Sequence, residues 1–410
     1  MANTLITPTW VLKEVGRSYE NAVTLIKECR QYDNKYEFGG AKVGDVIQYR
    51  LPQRFIVSDG QAFQAQPILD QTVPIPLTNQ KHVDFEWSSA QATTQIEEVQ
   101  KRYTKPAGLA LASVADAFTF TTAYPSIYNS VGTPGTPITN IQTYLNAGVK
   151  LWDNSAPSSE RVAVLDVGAM ASIAGASATL FNPAQAISMN YRNGQFAGNQ
   201  LGFEEWYQDS NAATHTTGTF TASTPIMASA GQTGSTISIT GWASGATTLK
   251  RGDIITIANV FGVNRLSYVS TSRLQQFVIT ADTADVTGAT ATLPISPSII
   301  TSGPLQTVNA SPANGAAVTV WSANPAGGTL ATTTSRQSLL FHPEAIAFVT
   351  ADLEMPNGGA KSTRVASQAG GFSFRMVEQY NAQTDQNANR IDMFIGAAVP
   401  RPEWAVRAVS

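Results

Sequence analysis

Two stretches near the C-terminus decide the fold, Arg375-Met376-Val377-Glu378-Gln379-Tyr380 and Arg390-Ile391-Asp392-Met393-Phe394-Ile395-Gly396. The bridge from Asn381 to Asn389 is wholly polar apart from two alanines, so the pair reads as two strands joined by a solvated loop. Leu353-Glu354-Met355-Pro356 precedes them, and Pro400-Arg401-Pro402-Glu403-Trp404-Ala405-Val406-Arg407 follows. No enzyme signature occurs in this ending.

Upstream, Leu339-Leu340-Phe341-His342-Pro343 and Ala345-Ile346-Ala347-Phe348-Val349 read as buried strands. Before them the composition shifts. From about Thr217 to Ser335 the chain is rich in Thr, Ser, Ala and Gly, with short β-like runs such as Ile254-Ile255-Thr256-Ile257 and Phe277-Val278-Ile279. No helical period is visible there, so the segment is expected to be an all-β insertion. Residues 140–216 read as helix, strand, helix and loop, an α/β unit.

Toward the N-terminus, Thr7-Pro8 is an N-cap followed by proline at the first helical position. Leu12, Val15, Tyr19, Ala22, Val23 and Ile26 recur at helical spacing, which predicts one amphipathic helix to about Arg30. Its polar face carries Lys13, Glu14, Arg17 and Glu20. From Glu37 to Ser89 the pattern is alternation, with Ile47, Tyr49 and Leu51 on one strand face and Val83, Phe85 and Trp87 on another. Pro52, Pro67, Pro74 and Pro76 keep parts of it out of central strands. A long two-stranded excursion fits, and alone it has too little face to bury. Thr94 and Glu97 have capping-box spacing for a helix that Pro106 kinks or restarts.

A chain of 410 residues is too long for a single core. The charged fraction is 13%, against about 25% in ordinary domains. A charge-poor surface is expected to be covered by other protein. Net charge is −3 with no basic run, which excludes tight neutralisation of phosphates by an arm. Cys29 is the only cysteine, so no disulfide framework or cysteine-based zinc site can form within the chain. Neither a signal-peptide pattern nor an apolar run of membrane-spanning length is present in the 410 residues.

Candidate chemistry is sparse. His82, Asp84 and Glu86 share one strand face, but successive same-face positions are roughly 6.5–7 Å apart, too far for three ligands to converge on one ion. Glu97-Glu98 and Glu204-Glu205 are adjacent and do not face each other on a helix. His342, before Pro343, has the place of a structural side chain. Arg251-Gly252-Asp253 spells an adhesion tripeptide and is better explained as a tight turn before a strand. No nucleophile elbow, Walker lysine loop or dinucleotide fingerprint occurs. The residues therefore predict no catalytic, metal or cofactor site.

Asn3-Thr-Leu-Ile-Thr-Pro8, Ala41-Lys-Val-Gly-Asp-Val-Ile47, Val83-Asp-Phe-Glu86, Arg102-Tyr-Thr-Lys-Pro106, Leu249-Lys-Arg-Gly-Asp-Ile254 and His342-Pro-Glu-Ala-Ile-Ala-Phe348, followed by the ending quoted first, occur in the order found in one family. The chain resembles tailed-phage major capsid proteins of the Hong Kong 97-like α+β fold, in the podovirus-type branch that carries an inserted β domain. The resemblance implies an N-terminal arm helix (1–36), an extended β loop (37–89), and a spine helix with peripheral domain (90–139). It further implies an axial domain (140–216), an inserted β domain (217–335), and the remainder of the axial and peripheral domains (336–410). The implied function is self-assembly as pentamers and hexamers into an icosahedral head enclosing double-stranded DNA, without sequence-specific DNA binding. The implied partners are a scaffolding protein, a portal protein and a decoration protein, with assembly in host cytoplasm. Tyr49, Phe55, Phe63 and Trp87 are the expected intersubunit anchors. Glu14 and Glu20, read as exposed, are the expected scaffold contacts. An encapsulin-like compartment shell or a β-rich adhesin are the competing readings.

Overall fold

The computed structural model describes residues 8–32, 46–61, 63–88, 100–177, 200–219, 224–241, 248–283, 290–321, 332–356, 361–366 and 372–410. The chain divides into two compact units, one of residues 1–49, 72–119 and 347–398, the other of residues 50–71, 120–346 and 399–410. The class is mixed α+β, as expected.

In the first unit the two C-terminal runs form long antiparallel strands, Ser373–Asn381 and Gln386–Ala398, with Phe374 opposite Met393 and Asn381 opposite Gln386. The sheet order is Arg30–Tyr32, Ala347–Thr350, Gln386–Ala398, Ser373–Asn381 and Lys361–Ala366. Asn79–Ser88 also pairs with Gln386–Ala398, placing Trp87 opposite Asn387. Val83, Phe85 and Trp87 are covered while His82, Asp84 and Glu86 are exposed, the alternation read from the sequence. Asp392 is fully buried and takes bonds from Arg375 Nη2 (2.6 Å), Arg390 Nε (2.7 Å) and Gln80 Nε2 (3.0 Å). Burial pushes this carboxyl up, and the two guanidinium bonds with the amide bond outweigh it, holding it below the usual range.

The N-terminal helix spans Pro8–Ala22 and buries Val11, Leu12, Val15 and Tyr19. Tyr19 meets Phe372 and Phe374 edge-on, both at 5.2 Å between centroids. The helix does not continue to Arg30. The chain breaks at Val23-Thr24, and a separate turn follows at Leu25–Glu28. Its first N–H groups are taken by a carboxylate distant in sequence, Thr24 N and Ile26 N donating to Asp116 at 2.8 and 3.1 Å. A π-helical turn, Gln100–Thr104, leads into the long helix Lys105–Ala123. Pro106 thus sits in the first turn, where its missing N–H costs nothing. The expected capping box at Thr94 lies outside the described residues.

In the second unit a six-stranded sheet runs Ser130–Gly132, Ala405–Val409, Thr334–Phe341, Val162–Leu165 and Glu205–Gln208, with Ala213–Thr216 also paired to Thr334–Phe341. The helices Ile141–Asp153 and Val167–Ser177 cover it through Tyr144, Leu151, Met170 and Ile173, packed against Leu165, Leu340 and Val406. Ala213–Thr216 and Thr334–Phe341 pair directly, with Ser335 opposite His215. The chain between them folds as its own antiparallel sheet, in the order Val318–Val320, Ile254–Val263, Ser270–Ile279, Thr290–Ile299, Gly234–Thr240 and Ile226–Met227. Ile237, Ile239, Ile255, Ile257, Phe277 and Leu293 are among the residues of its separate core. Among its described residues there is no helix.

Candidate assembly surfaces and the joint of the inserted sheet

Between the paired strands Val46–Leu51 and Gln71–Pro76, the chain from Pro52 to Asp70 has no regular pairing among its described residues. Pro52 and Pro67 withhold backbone donors, and Gly60 turns the chain at φ +94°. Some polar groups of this loop bond within it. Leu69 N donates to Gln53 Oε1 at 3.0 Å, Ile56 N to Gln66 Oε1 at 2.9 Å, and Gln66 Nε2 returns a bond to Ile56 O. Arg54 Nη2 donates to Glu403 Oε1 at 2.6 Å, fixing the loop to the turn Pro402–Trp404. Its apolar groups face outward instead, with Phe63 93% and Phe55 61% exposed, accompanied by Val57 and Ile68. So much large apolar surface on one described loop is more than scattered exposed residues of a soluble surface usually present.

The four residues expected as anchors separate into two kinds. Phe55 and Phe63 present free area. Tyr49 is half-buried against the cluster of Ile75, Leu77 and Val349. Trp87 is 6% exposed, with its ring 5.4 Å from Phe85 and 6.3 Å from Tyr103. Those two are held inside their own chain. On the N-terminal helix Glu14 and Glu20 are half-buried rather than exposed, and Glu14 lies 3.6 Å from Arg17 with 15% of its side chain accessible. The exposed charges of that helix are Lys13 and Arg17. Helix periodicity alone could not show that the glutamates sit at the margin of the buried stripe.

The inserted sheet is joined to the rest of its unit by polar contacts. Asp253 is buried and accepts from His215 Nε2 (2.8 Å), Lys250 N (2.8 Å) and Gly218 N (3.0 Å). Gly252 takes φ +102°, and a Cβ there would lie 3.1 Å from His215. Arg251-Gly252-Asp253 is therefore a structural turn whose carboxylate is occupied. Lys150 Nζ donates to Gln276 Oε1 at 2.6 Å, and Gln276 bonds both backbone groups of Ser130, at 2.8 and 3.1 Å. Burial lowers the Lys150 ammonium to about 8, with Asp153 opposing and Arg273 adding to the fall. Arg265 Nη2 donates to Tyr128 OH at 3.1 Å, and burial pushes that phenol up to about 12. Arg273 Nη1 donates to both carboxylate oxygens of Asp153, at 2.6 and 2.7 Å. A small apolar patch of Tyr128, Ile254, Val278 and Trp321 completes the joint. Sequence reasoning missed all of these polar partners.

His342 is buried, its Nδ1 accepts from Glu344 N at 3.3 Å, and burial lowers its pKa, so it caps the turn Pro343–Ala345 as a neutral ring. His82 Nδ1 and Asp84 Oδ2 are 3.0 Å apart on an exposed strand face. Among the described residues no three ligating side chains come together, and no helix is long and apolar enough to cross a membrane.

These parts define a structural protein that offers apolar surface for association. A family model described as "P22 coat protein - gene protein 5" matches residues 2–407. The chain belongs to the P22 coat protein family, and it is a major capsid protein of the virion shell. No curated protein matches it. Among solved structures it is similar to one from Mycobacterium phage Che8, at 14% identity and TM-score 0.43, covering 95% of this chain and 90% of that one. The CUS-3 coat protein I-domain matches at 28% identity and TM-score 0.19, covering 24% of this chain and 96% of that one. A virus-like particle from Pyrococcus furiosus matches at 8% identity and TM-score 0.41, covering 98% of both chains.

Proposed function

We propose that the chain tiles an icosahedral head as pentamers and hexamers around double-stranded DNA, and that the loop 50–71 is the strap by which each copy grips the next. The observation carrying this is the exposure of Phe55 and Phe63 on a loop that Arg54, Gln53 and Gln66 tie to its own chain. Each such contact can be weak, because many act together once the shell closes. The work is mechanical and turns over no substrate. The net charge of −3 fits an inner surface that leaves packaged DNA to its own counterions.

A scaffolding protein, a portal protein and a decoration protein are the partners this role calls for, with assembly in host cytoplasm. Glu14 and Glu20 are kept as scaffold contacts only if the partner reaches the margin of the N-terminal helix, since the charges it meets first are Lys13 and Arg17. The test is electron microscopy of shells from the doubly substituted chain Phe55→Asp, Phe63→Asp. Soluble subunits or open fragments in place of closed shells are expected. Normal shells in normal yield refute the strap.

A further inference from the structure

The register of the second unit's sheet puts five polar side chains on one face. Ser130 lies opposite Arg407, Arg407 opposite Leu339, and Ser335 opposite His215, while Ser335, Gln337 and Leu339 alternate onto the same side. Gly252, Asp253, Ile254 and Trp321 of the inserted sheet line the other side of a cavity of about 10 Å³ at this face. Three buried atoms of its lining have no protein partner, Arg407 Nε, Gln337 Oε1 and Ser130 Oγ. Each of these residues is no more than 1% exposed.

We infer that this cavity is a binding site for one structural water, which bridges the C-terminal strand, the strand Thr334–Phe341 and the strand Ser130–Gly132 beneath the inserted sheet. The chemistry selects the ligand. Arg407 Nε can only donate, and Gln337 Oε1 can only accept. The amide cannot be reversed, because Gln337 Nε2 faces Ser335 O (3.5 Å), a pure acceptor, and Ser335 Oγ (3.0 Å). An anion would be rejected by Gln337 Oε1 and a cation by the Arg407 guanidinium. Water accepts from the one, donates to the other and takes either role with Ser130 Oγ. The volume admits a single molecule, which needs roughly 10–15 Å³ of such space and typically makes about three bonds.

The test is a map of the assembled shell at a resolution that shows ordered solvent, recorded in chloride and in chloride-free buffer. One peak within hydrogen-bonding reach of all three atoms, about 2.7–3.2 Å, and identical in both buffers is expected. An empty cavity, or a peak present only with chloride, overturns the assignment. In shells of Gln337→Met, which loses the acceptor and fills the space, the peak should vanish with His215–Asp253 unmoved. Full retention of the peak there also overturns it, and if that variant does not assemble, the two wild-type maps decide alone.

Discussion

Replacing Lys150 by methionine should make the unassembled subunit more stable at neutral pH, although it deletes a 2.6 Å hydrogen bond to Gln276. Burial holds the ammonium at about 8, against 10.5 for the free side chain. At roughly 1.36 kcal/mol per pH unit this is a penalty of about 3 kcal/mol on the charged form in the folded state. The residue keeps part of its surface accessible, which discounts that figure somewhat. Against it stands the lost bond, worth about 1.5 kcal/mol or more for a charged donor. Gln276 Oε1 is not orphaned, because Ser130 N still donates to it. The expected net gain is about 1 kcal/mol for K150M at pH 7. The folded value lies below the unfolded one, so the unfolded chain binds more protons between them. The Lys150 contribution to wild-type stability therefore rises from pH 8 toward 10, opposed there by ionisation of the unfolded chain's Cys29 and tyrosines, whose buried groups are pushed up in the fold. The assay is urea unfolding of purified subunits followed by tryptophan fluorescence at several pH values from 7 to 10. K150M should lie above wild type at pH 7 and lack its rise. A variant destabilised at pH 7 with an unchanged pH slope would refute the reasoning.

Asp392→Asn should cost about 3 kcal/mol, because Arg375 and Arg390 lose the buried carboxylate that anchors both. That carboxyl is held below its ordinary value, so its contribution is complete above about pH 4 and disappears as pH falls through the folded value. The gap between wild type and D392N in acid-unfolding curves should narrow accordingly. Gly252→Ala should destabilise by at least about 1 kcal/mol, through a backbone angle that L residues avoid and a Cβ 3.1 Å from His215 Cε1. Thermal unfolding of the subunit checks it, and an unchanged midpoint contradicts the account of that turn.

Alternation of side chains made the strands legible. The face shared by Val83, Phe85 and Trp87 lies where the period of two puts it, and the runs around Met376 and Phe394, read as two strands about a polar bridge, are strands. The Thr-, Ser-, Ala- and Gly-rich composition from about Thr217 to Ser335 pointed to strands, and its described residues hold no helix. What periodicity reports is which side of an element is apolar, not which polar group it meets across the chain. Asp116 stops the first helix by capping a turn some 90 residues away, and nothing near Val23 announces it. Lys150 meets Gln276 across 126 residues and Arg407 meets Gly252 across 155. The pair of phenylalanines in the loop was legible as apolar, but only burial separates them from Tyr49 and Trp87, which look the same in one dimension.

The two kinds of contact in the second unit have different physical consequences. The inserted sheet's own core gathers Ile239, Ile255, Phe277 and Leu293, buried together, so most of its cohesion is non-directional. Its attachment is the reverse. Asp253, Gln276, Arg265 and Arg273 each contribute bonds of defined direction, and the described apolar patch beside them is Tyr128, Ile254, Val278 and Trp321. Such bonds add little net stability each, but a buried donor or acceptor that loses its partner is costly. The joint therefore tolerates one orientation well and intermediate ones poorly. In a shell, where one subunit fold must occupy many positions with the same outline, an insertion held in this way keeps a defined orientation without relying on a large apolar interface.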